Sequence, residues 1–160
     1  MASTIFPELL EVRPFRPEDA DCLAEMAAQI VHSSFRAAYG NRYAIQIARR
    51  LSAAGFLARA RERNVYVVAH EGLPVATGSL LGNWVKAVFV AQALQRRGIG
   101  RHLMGVLEAV ATVCDEPRLW LDATPGAEIF YRRLGWKRHA RIAIGSGYAV
   151  RMSKRLRGGL

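Results

Sequence analysis

The sequence has few cysteines, no long apolar run and no carboxylate in its last fifth. Two cysteines in 160 residues exclude a disulfide scaffold, and we expect both Cys22 and Cys114 to be small buried side chains. No apolar run approaches the roughly 18 residues of a membrane span, and the first residues lack the features of a secretion signal. The length predicts one domain over residues 1–160, which we expect to be cytoplasmic.

Positive charge is concentrated towards the C-terminus. The chain has 23 Lys and Arg against 13 Asp and Glu, a net charge of +10. No carboxylate follows Glu128, whereas nine cations do: Arg132, Arg133, Lys137, Arg138, Arg141, Arg151, Lys154, Arg155 and Arg157. Such a surface attracts polyanions, so a nucleic-acid-binding module is an alternative function. The cations are not interleaved with an aromatic stacking platform, which disfavours that alternative.

Several familiar sites lack their residues. The four histidines (His32, His70, His102 and His139) have no shared spacing, so no metal site is expected. No glycine is followed by lysine, which excludes a Walker A loop. Leu103 stands where a dinucleotide fingerprint needs its third glycine. Asp122 lies about twenty residues further on, where a dinucleotide-binding domain carries an acidic residue, so NAD(P)H-dependent chemistry stays an alternative.

Hydrophobic periodicity predicts a mixed α/β (α+β) fold with a central, mostly antiparallel sheet flanked by helices. The expected element order is β-α-α-β-β-β-α-β-α-β-β. The predicted strands are 11–16, 65–69, 75–81, 84–90, 118–123, 136–144 and 148–153. The predicted helices follow Pro17, cover 43–63 with a break loosened by Gly55, cover 98–113, and run from Pro125 to Gly135.

Two motifs stand out. Gln95-Arg-Arg-Gly98-Ile-Gly100 lies between a strand and a long helix, where its backbone N–H groups and the helix dipole favour an anion. Arg96, Arg97 and Arg101 add charge-assisted bonds to phosphate oxygens. The second motif, from Ala127 to Trp136, predicts that Phe130 and Leu134 face the core and that Tyr131 lies on another edge.

Together these motifs resemble those of the GNAT-type N-acyltransferases. The segment from Val90 to Met104 resembles the acyl-CoA-binding signature of that superfamily, and Ala127 to Trp136 is similar to its second signature. The opening Glu11-Val-Arg-Pro-Phe and the final strand through Met152 also match the family pattern. The resemblance implies a single GNAT-like domain that uses acetyl-CoA as co-substrate.

The resemblance also implies roles for individual residues. Phe89 and Val90 would pair with the pantetheine arm, the N–H groups from Arg96 to Arg101 would hold the pyrophosphate, and the Val90 amide would donate to the thioester oxygen as it becomes an oxyanion. Tyr131 would protonate the departing thiolate as general acid. The implied cofactor-binding residues are Phe89, Val90, Gln95, Arg96, Arg97, Gly98, Ile99, Gly100, Arg101 and Thr124.

The sequence departs from the family pattern at three positions. Gln95 replaces a commoner arginine, Thr124 replaces a commoner asparagine, and Trp84 stands where some relatives carry a general-base glutamate. Asp122 is therefore a candidate base, with water or a substrate amine of low pKa as the other routes. Lys86 on the same strand disfavours a strongly cationic acceptor if its side chain faces the cleft.

The expected partners are acetyl-CoA and an amine, which the sequence leaves open as a small molecule, a peptide N-terminus or a protein lysine. A homodimer is compatible with the sequence, whereas neither a membrane nor nucleic acid is an expected partner.

Overall fold

A computed structural model describes residues 9–156, whose strands form one seven-stranded sheet. The strands are β1 (Leu10–Pro14), β2 (Asn64–His70), β3 (Leu73–Leu81), β4 (Trp84–Val90), β5 (Arg118–Ala123), β6 (Lys137–Ile144) and β7 (Gly147–Arg155). Their order across the sheet is β1-β2-β3-β4-β5-β7-β6. Only the β4–β5 pairing in this sheet is parallel, so the predicted fold class is confirmed.

The helices flank the sheet on both faces. They are α1 (Ala20–Ile30), α2 (Arg36–Tyr39), α3 (Asn41–Arg50), α4 (Ala53–Glu62), α5 (Ile99–Val113) and α6 (Glu128–Arg133). A π-helical turn, Val31–Phe35, joins α1 to α2. The predicted break in the second helical region lies at Leu51 and Ser52, where Ser52 caps α4 through a bond from Gly55 N–H. Gly55 itself lies within α4 and does not interrupt it.

Two hydrophobic clusters place the helices on opposite faces. Helix α5 packs on one face through Ile99, Leu103 and Leu107, which are at most 1% exposed. On the other face lie the buried α1 residues Leu23, Met26, Ala27 and Ile30, together with Phe56 of α4 and Phe89 of β4. Because successive side chains of a strand point to opposite faces, those of β4 lie either on the face covered by α5 (the α5 side) or on the face covered by α1 (the α1 side).

The cysteines are a correction to the sequence-based expectation. Both Cys22 and Cys114 are exposed rather than buried. Cys22 occupies the outward face of α1, and Cys114 follows the end of α5. Between residues 9 and 156, no helix has the length and apolar character needed to cross a membrane.

The tip of the β6–β7 hairpin docks on α2. Ser146 N–H donates to the Tyr39 carbonyl at 3.1 Å. A Cβ atom added to Gly147 would lie 2.1 Å from the Ala38 carbonyl oxygen. The close approach of the two backbones therefore requires glycine at position 147, and it joins the C-terminal hairpin to the helical layer.

Substitution Gly147→Ala is expected to destabilise the protein by about 1–3 kcal/mol, because the added methyl group forces the hairpin away from α2. Thermal unfolding measures the loss. Gly105→Ala is the matched control, since a Cβ atom there meets nothing within 4 Å and alanine in a helix is favoured over glycine by roughly 0.5–1 kcal/mol. Equal effects of the two substitutions would contradict the docking.

Candidate active site

A bulge in β4 opens the sheet next to the predicted cofactor loop. Strands β4 and β5 pair at Trp84 and Trp120. The register of β4 against β3 then shifts between Thr77 and Ser79, and Ala87 adopts φ +53°. A bulge bends its strand and increases the local twist, so beyond this point β4 and β5 have no further paired residues. The sheet therefore splits towards Val90.

The backbone of Val90 faces this split. Ala91 N–H donates to the Val75 carbonyl at 2.9 Å, and Val90 is opposite Ala76 in the register. In an antiparallel ladder this pattern makes Val90–Ala76 the non-hydrogen-bonded pair, whose N–H and C=O groups point away from one another. The Val90 N–H is thus directed towards β5, and the Gln95 side-chain amide donates to the Val90 carbonyl from the same side at 3.2 Å.

Phe89 is placed differently from the prediction. It is opposite Thr77 in the alternating ladder, which commits its backbone groups to β3. Its ring is 5% exposed and lies in the cluster of the α1 side. Of the two residues predicted to pair with a pantetheine arm, only Val90 presents its backbone to the split in this register.

The loop before α5 has the geometry of an anion site. Arg96 has φ +62° and Gly98 has φ +83°, so left-handed residues alternate along the loop, an arrangement that turns N–H groups to one side. Gly98 is the N-cap of the 15-residue helix α5 and offers no capping side chain. The N–H groups of Ile99, Gly100 and Arg101 therefore have no partner within the helix. The exposed Arg97 side chain belongs to the same loop.

The two sequence motifs meet in space. A Cβ atom on Gly100 would lie 3.2 Å from Phe130 Cζ and 3.6 Å from Val90 Cγ2. The helix start, the second motif and the end of β4 are therefore in contact around one point. Thr124 lies between β5 and the turn that leads to α6. Its carbonyl accepts a hydrogen bond from Ala127 N–H at 2.9 Å, which closes that turn.

Tyr131 points into the core, whereas the prediction placed it on another edge. It is 7% exposed, and its ring packs edge-on against Phe130 at 4.9 Å and Trp136 at 6.0 Å. Phe130 and Leu134, which were predicted to face the core, are only half-buried. Burial raises the pKa of Tyr131 well above its usual value, so the phenol keeps its proton at neutral pH.

Asp122 is held by an ion pair. Arg151 Nε and Nη2 donate to its two carboxylate oxygens at 2.9 and 3.0 Å. Burial above all, with Tyr43 and the Asp122 carboxylate adding to it, raises the pKa of Tyr39 on α2 to about 12. Leu121 and Ala123, the neighbours of Asp122 on β5, are buried in the cluster of the α5 side. Asp122 therefore faces the α1 side of the sheet, on the opposite face from Tyr131.

The α1 side of β4, β5 and β7 carries a surface that sequence reasoning missed. Trp84 and Trp120 stack at 6.1 Å, and Lys86 Nζ and Arg151 Cζ lie 4.6 and 4.9 Å from the Trp84 ring centroid. Arg118 Cζ lies 5.8 Å from the Trp120 centroid. We call these five residues the indole face. Their separation along the chain left no local signal of this arrangement.

The C-terminal cations are dispersed. Among the predicted nine, Arg138, Arg151 and Lys154 pair with Glu128, Asp122 and Glu108, and Arg157 lies outside the described residues. Arg151 lies against the Trp84 ring, a contact that the spacing of these two residues in the sequence does not indicate. No group of three or more potential metal ligands (His, Cys, Asp, Glu) converges within residues 9–156.

Comparison with known proteins identifies the class. Residues 61–138, which carry β4, the loop, α5 and α6, match the acetyltransferase (GNAT) domain family. No curated protein matches the chain by sequence. The match confirms the resemblance to the GNAT superfamily, and with it the class of acyl-CoA-dependent acyltransferases.

Solved structures extend the likeness to nearly the whole chain. A GCN5-related N-acetyltransferase from Rhodopseudomonas palustris has a TM-score of 0.80 at 24% identity, over 91% of this chain and 95% of that one. The PaiA N-acetyltransferase from Thermoplasma acidophilum, in complex with coenzyme A, has 0.77 at 16%, over 91% and 98%. YncA, a putative acetyltransferase from Salmonella typhimurium with acetyl-CoA, has 0.70 at 21%, over 94% and 96%. At these identities the likeness establishes the GNAT fold.

Proposed function

We propose that this protein transfers an acetyl group from acetyl-CoA to a primary amine by direct attack in a ternary complex. The observation that carries the proposal is the Val90 backbone N–H, directed into the split between β4 and β5. The donor is inferred from the family match and from the two solved neighbours that hold coenzyme A or acetyl-CoA.

The residues present fit that donor. The unpartnered N–H groups of Ile99, Gly100 and Arg101, with Arg96 and Arg97 beside them, would hold the pyrophosphate. Val90 N–H would lie against the thioester oxygen and stabilise the negative charge that develops there, an effect worth about 3–4 kcal/mol. Gln95 would act indirectly, since its amide already holds the Val90 carbonyl.

Proton transfers complete the reaction. Acetyl-CoA supplies a thioester whose C–S bond breaks as the C–N bond of the new amide forms. Tyr131 would donate its phenolic proton to the departing sulfur and regain one from solvent. The phenol lies on the α5 side, so the amine would approach from the α1 side, through the split.

The amine must lose a proton before it attacks, and Asp122 remains our candidate base on that side. Its ion pair with Arg151 occupies one lone pair of each oxygen, so a second lone pair would have to accept the proton. Water and an acceptor of low pKa remain the other routes. An Asp122→Asn variant with unchanged kcat would exclude Asp122.

Acetyl-CoA is expected to raise the melting temperature by roughly 5–10 °C at a hundred times its dissociation constant. Such saturation adds about 2.7 kcal/mol of stability, and a chain of this size shifts by about 2–4 °C per kcal/mol. The measurement is a thermal-shift titration at physiological salt. NADPH, pyrophosphate and a short DNA duplex are the controls, and equal shifts with all four would favour a polyanion-binding module. Release of free thiol that depends on added amine then tests catalysis.

A further inference from the structure

The indole face lies where an acceptor would approach. Val85 of β4 is buried in the cluster of the α5 side, so its neighbours Trp84 and Lys86 project to the α1 side. Arg151 lies on the same side, 4.9 Å from the Trp84 ring centroid, and its guanidinium holds Asp122 there.

The indole face carries excess positive charge. Arg151 is neutralised by Asp122, whereas Lys86 and Arg118 form no ion pair with any carboxylate in residues 9–156. Lys86 Nζ rests 4.6 Å from the centre of the Trp84 ring, a contact that orients the ammonium group without cancelling its charge. Trp84 thus holds an oriented, half-buried cation on the α1 side of the sheet.

Lys86 is also at a suitable distance from the reaction centre. It precedes Val90 by four residues, at most about 13 Å of extended strand, and the bulge at Ala87 shortens that path. A small molecule whose amine and carboxylate are separated by several bonds can therefore reach the split with one end while its other end contacts the lysine side chain.

We propose that the acceptor is an amine that also carries a carboxylate, and that Lys86 binds this carboxylate. The inference rests on the proposed function and specifies its substrate class. Positive charge at the indole face repels a protonated amine and lowers its pKa, which favours the neutral, nucleophilic form. The same charge attracts a carboxylate, so an amino acid suits this surface better than a polyamine or a lysine-rich peptide.

The test compares ω-amino acids, whose amine and carboxylate are separated by several bonds, with the corresponding amides, 6-aminohexanoate and 6-aminohexanamide among them. In the wild type, kcat/KM for the acid should exceed that for the amide by about tenfold to a hundredfold, the usual range for a bond to a charged group. Lys86→Gln should abolish this preference, and Lys86→Arg should retain it. Arg16→Gln is the matched control, because it removes one exposed positive charge at the far edge of the sheet.

A binding measurement provides a second readout without turnover. 6-Acetamidohexanoate, titrated calorimetrically into the protein, should bind about tenfold more weakly to Lys86→Gln than to the wild type or Arg16→Gln. Equal use of acids and amides, with binding unaffected by Lys86→Gln, would overturn the inference and leave the acetyltransferase proposal standing. Failure of every amine, despite stabilisation by acetyl-CoA, would instead count against the proposed function, and binding would still decide the role of Lys86.

Discussion

Substitution Tyr131→Phe is expected to lower kcat by about 10²–10⁴-fold, the usual contribution of a general acid, while the dissociation constant for acetyl-CoA stays within about twofold. Only the hydroxyl group is lost. The ring contacts with Phe130 and Trp136 do not involve that oxygen, so the packing around Gly100 should persist. Steady-state thiol release gives kcat, and calorimetric titration gives the affinity.

The pH dependence sharpens this prediction. Burial raises the pKa of Tyr131, which keeps the proton on the phenol until negative charge develops on sulfur. We therefore expect no loss of rate from Tyr131 ionisation between pH 6 and 9. Tyr66→Phe removes the same atom from a half-buried tyrosine of β2 and should leave kcat unchanged. If Tyr131→Phe behaves like this control, Tyr131 is not the acid.

Substitution Asp19→Ala is expected to give the largest loss of stability, about 3–5 kcal/mol. Asp19 accepts bonds from Arg13 Nη1 and Nη2 at 2.7 and 2.8 Å and from Arg16 N–H at 2.8 Å. Asp19 is 3% exposed and Arg13 is 8% exposed. Removing the carboxylate would leave a guanidinium buried without its partner. Thermal unfolding should show a fall of roughly 6–20 °C.

A double variant separates the ion pair from simple packing. Arg13→Met combined with Asp19→Leu removes both charges, and apolar replacement of a whole buried pair is often neutral. The double variant should therefore recover most of the stability lost by Asp19→Ala. A double variant no more stable than Asp19→Ala would show that the loss does not come from the uncompensated charge.

The same pair predicts acid sensitivity. The hydrogen bonds that Arg13 donates to Asp19 hold the pKa of the Asp19 carboxyl group below its usual value. Its stabilisation is thus complete above the unfolded pKa near 4 and is lost as pH falls through the lower folded value. The acid limb of melting temperature against pH should be shallower in Asp19→Ala than in the wild type.

Local signals in the sequence predicted most of the fold. Strand β5 was predicted at its observed limits, 118–123, because its apolar residues Leu119, Trp120 and Leu121 lie between the proline-containing turns at Pro117 and Pro125. Gly98 and Gly135 marked helix ends, since both adopt positive φ there. The predicted loop before α5 has the backbone geometry that suits an anion, because the loop and the helix start are contiguous along the chain.

The parts that sequence reasoning missed depend on contacts between distant residues. The burial of Tyr131 depends on the packing of α6 against Trp136, and the exposure of Cys22 depends on which face of α1 meets the sheet. Asp122 is engaged by Arg151, which lies on β7. Periodicity within one element cannot specify such partners, because it does not determine how elements pair.

The sequence by itself determined the element order, the loop and helix that suit a phosphate, and the two signatures of a GNAT domain, since each is encoded by neighbouring residues. Only the tertiary structure decided which backbone amide faces the split in the sheet, because this depends on the β3–β4 register and the bulge at Ala87. It also brought Lys86, Trp84, Trp120 and Arg151 together from three strands, because strand pairing, not sequence proximity, sets the neighbours of a side chain in a sheet.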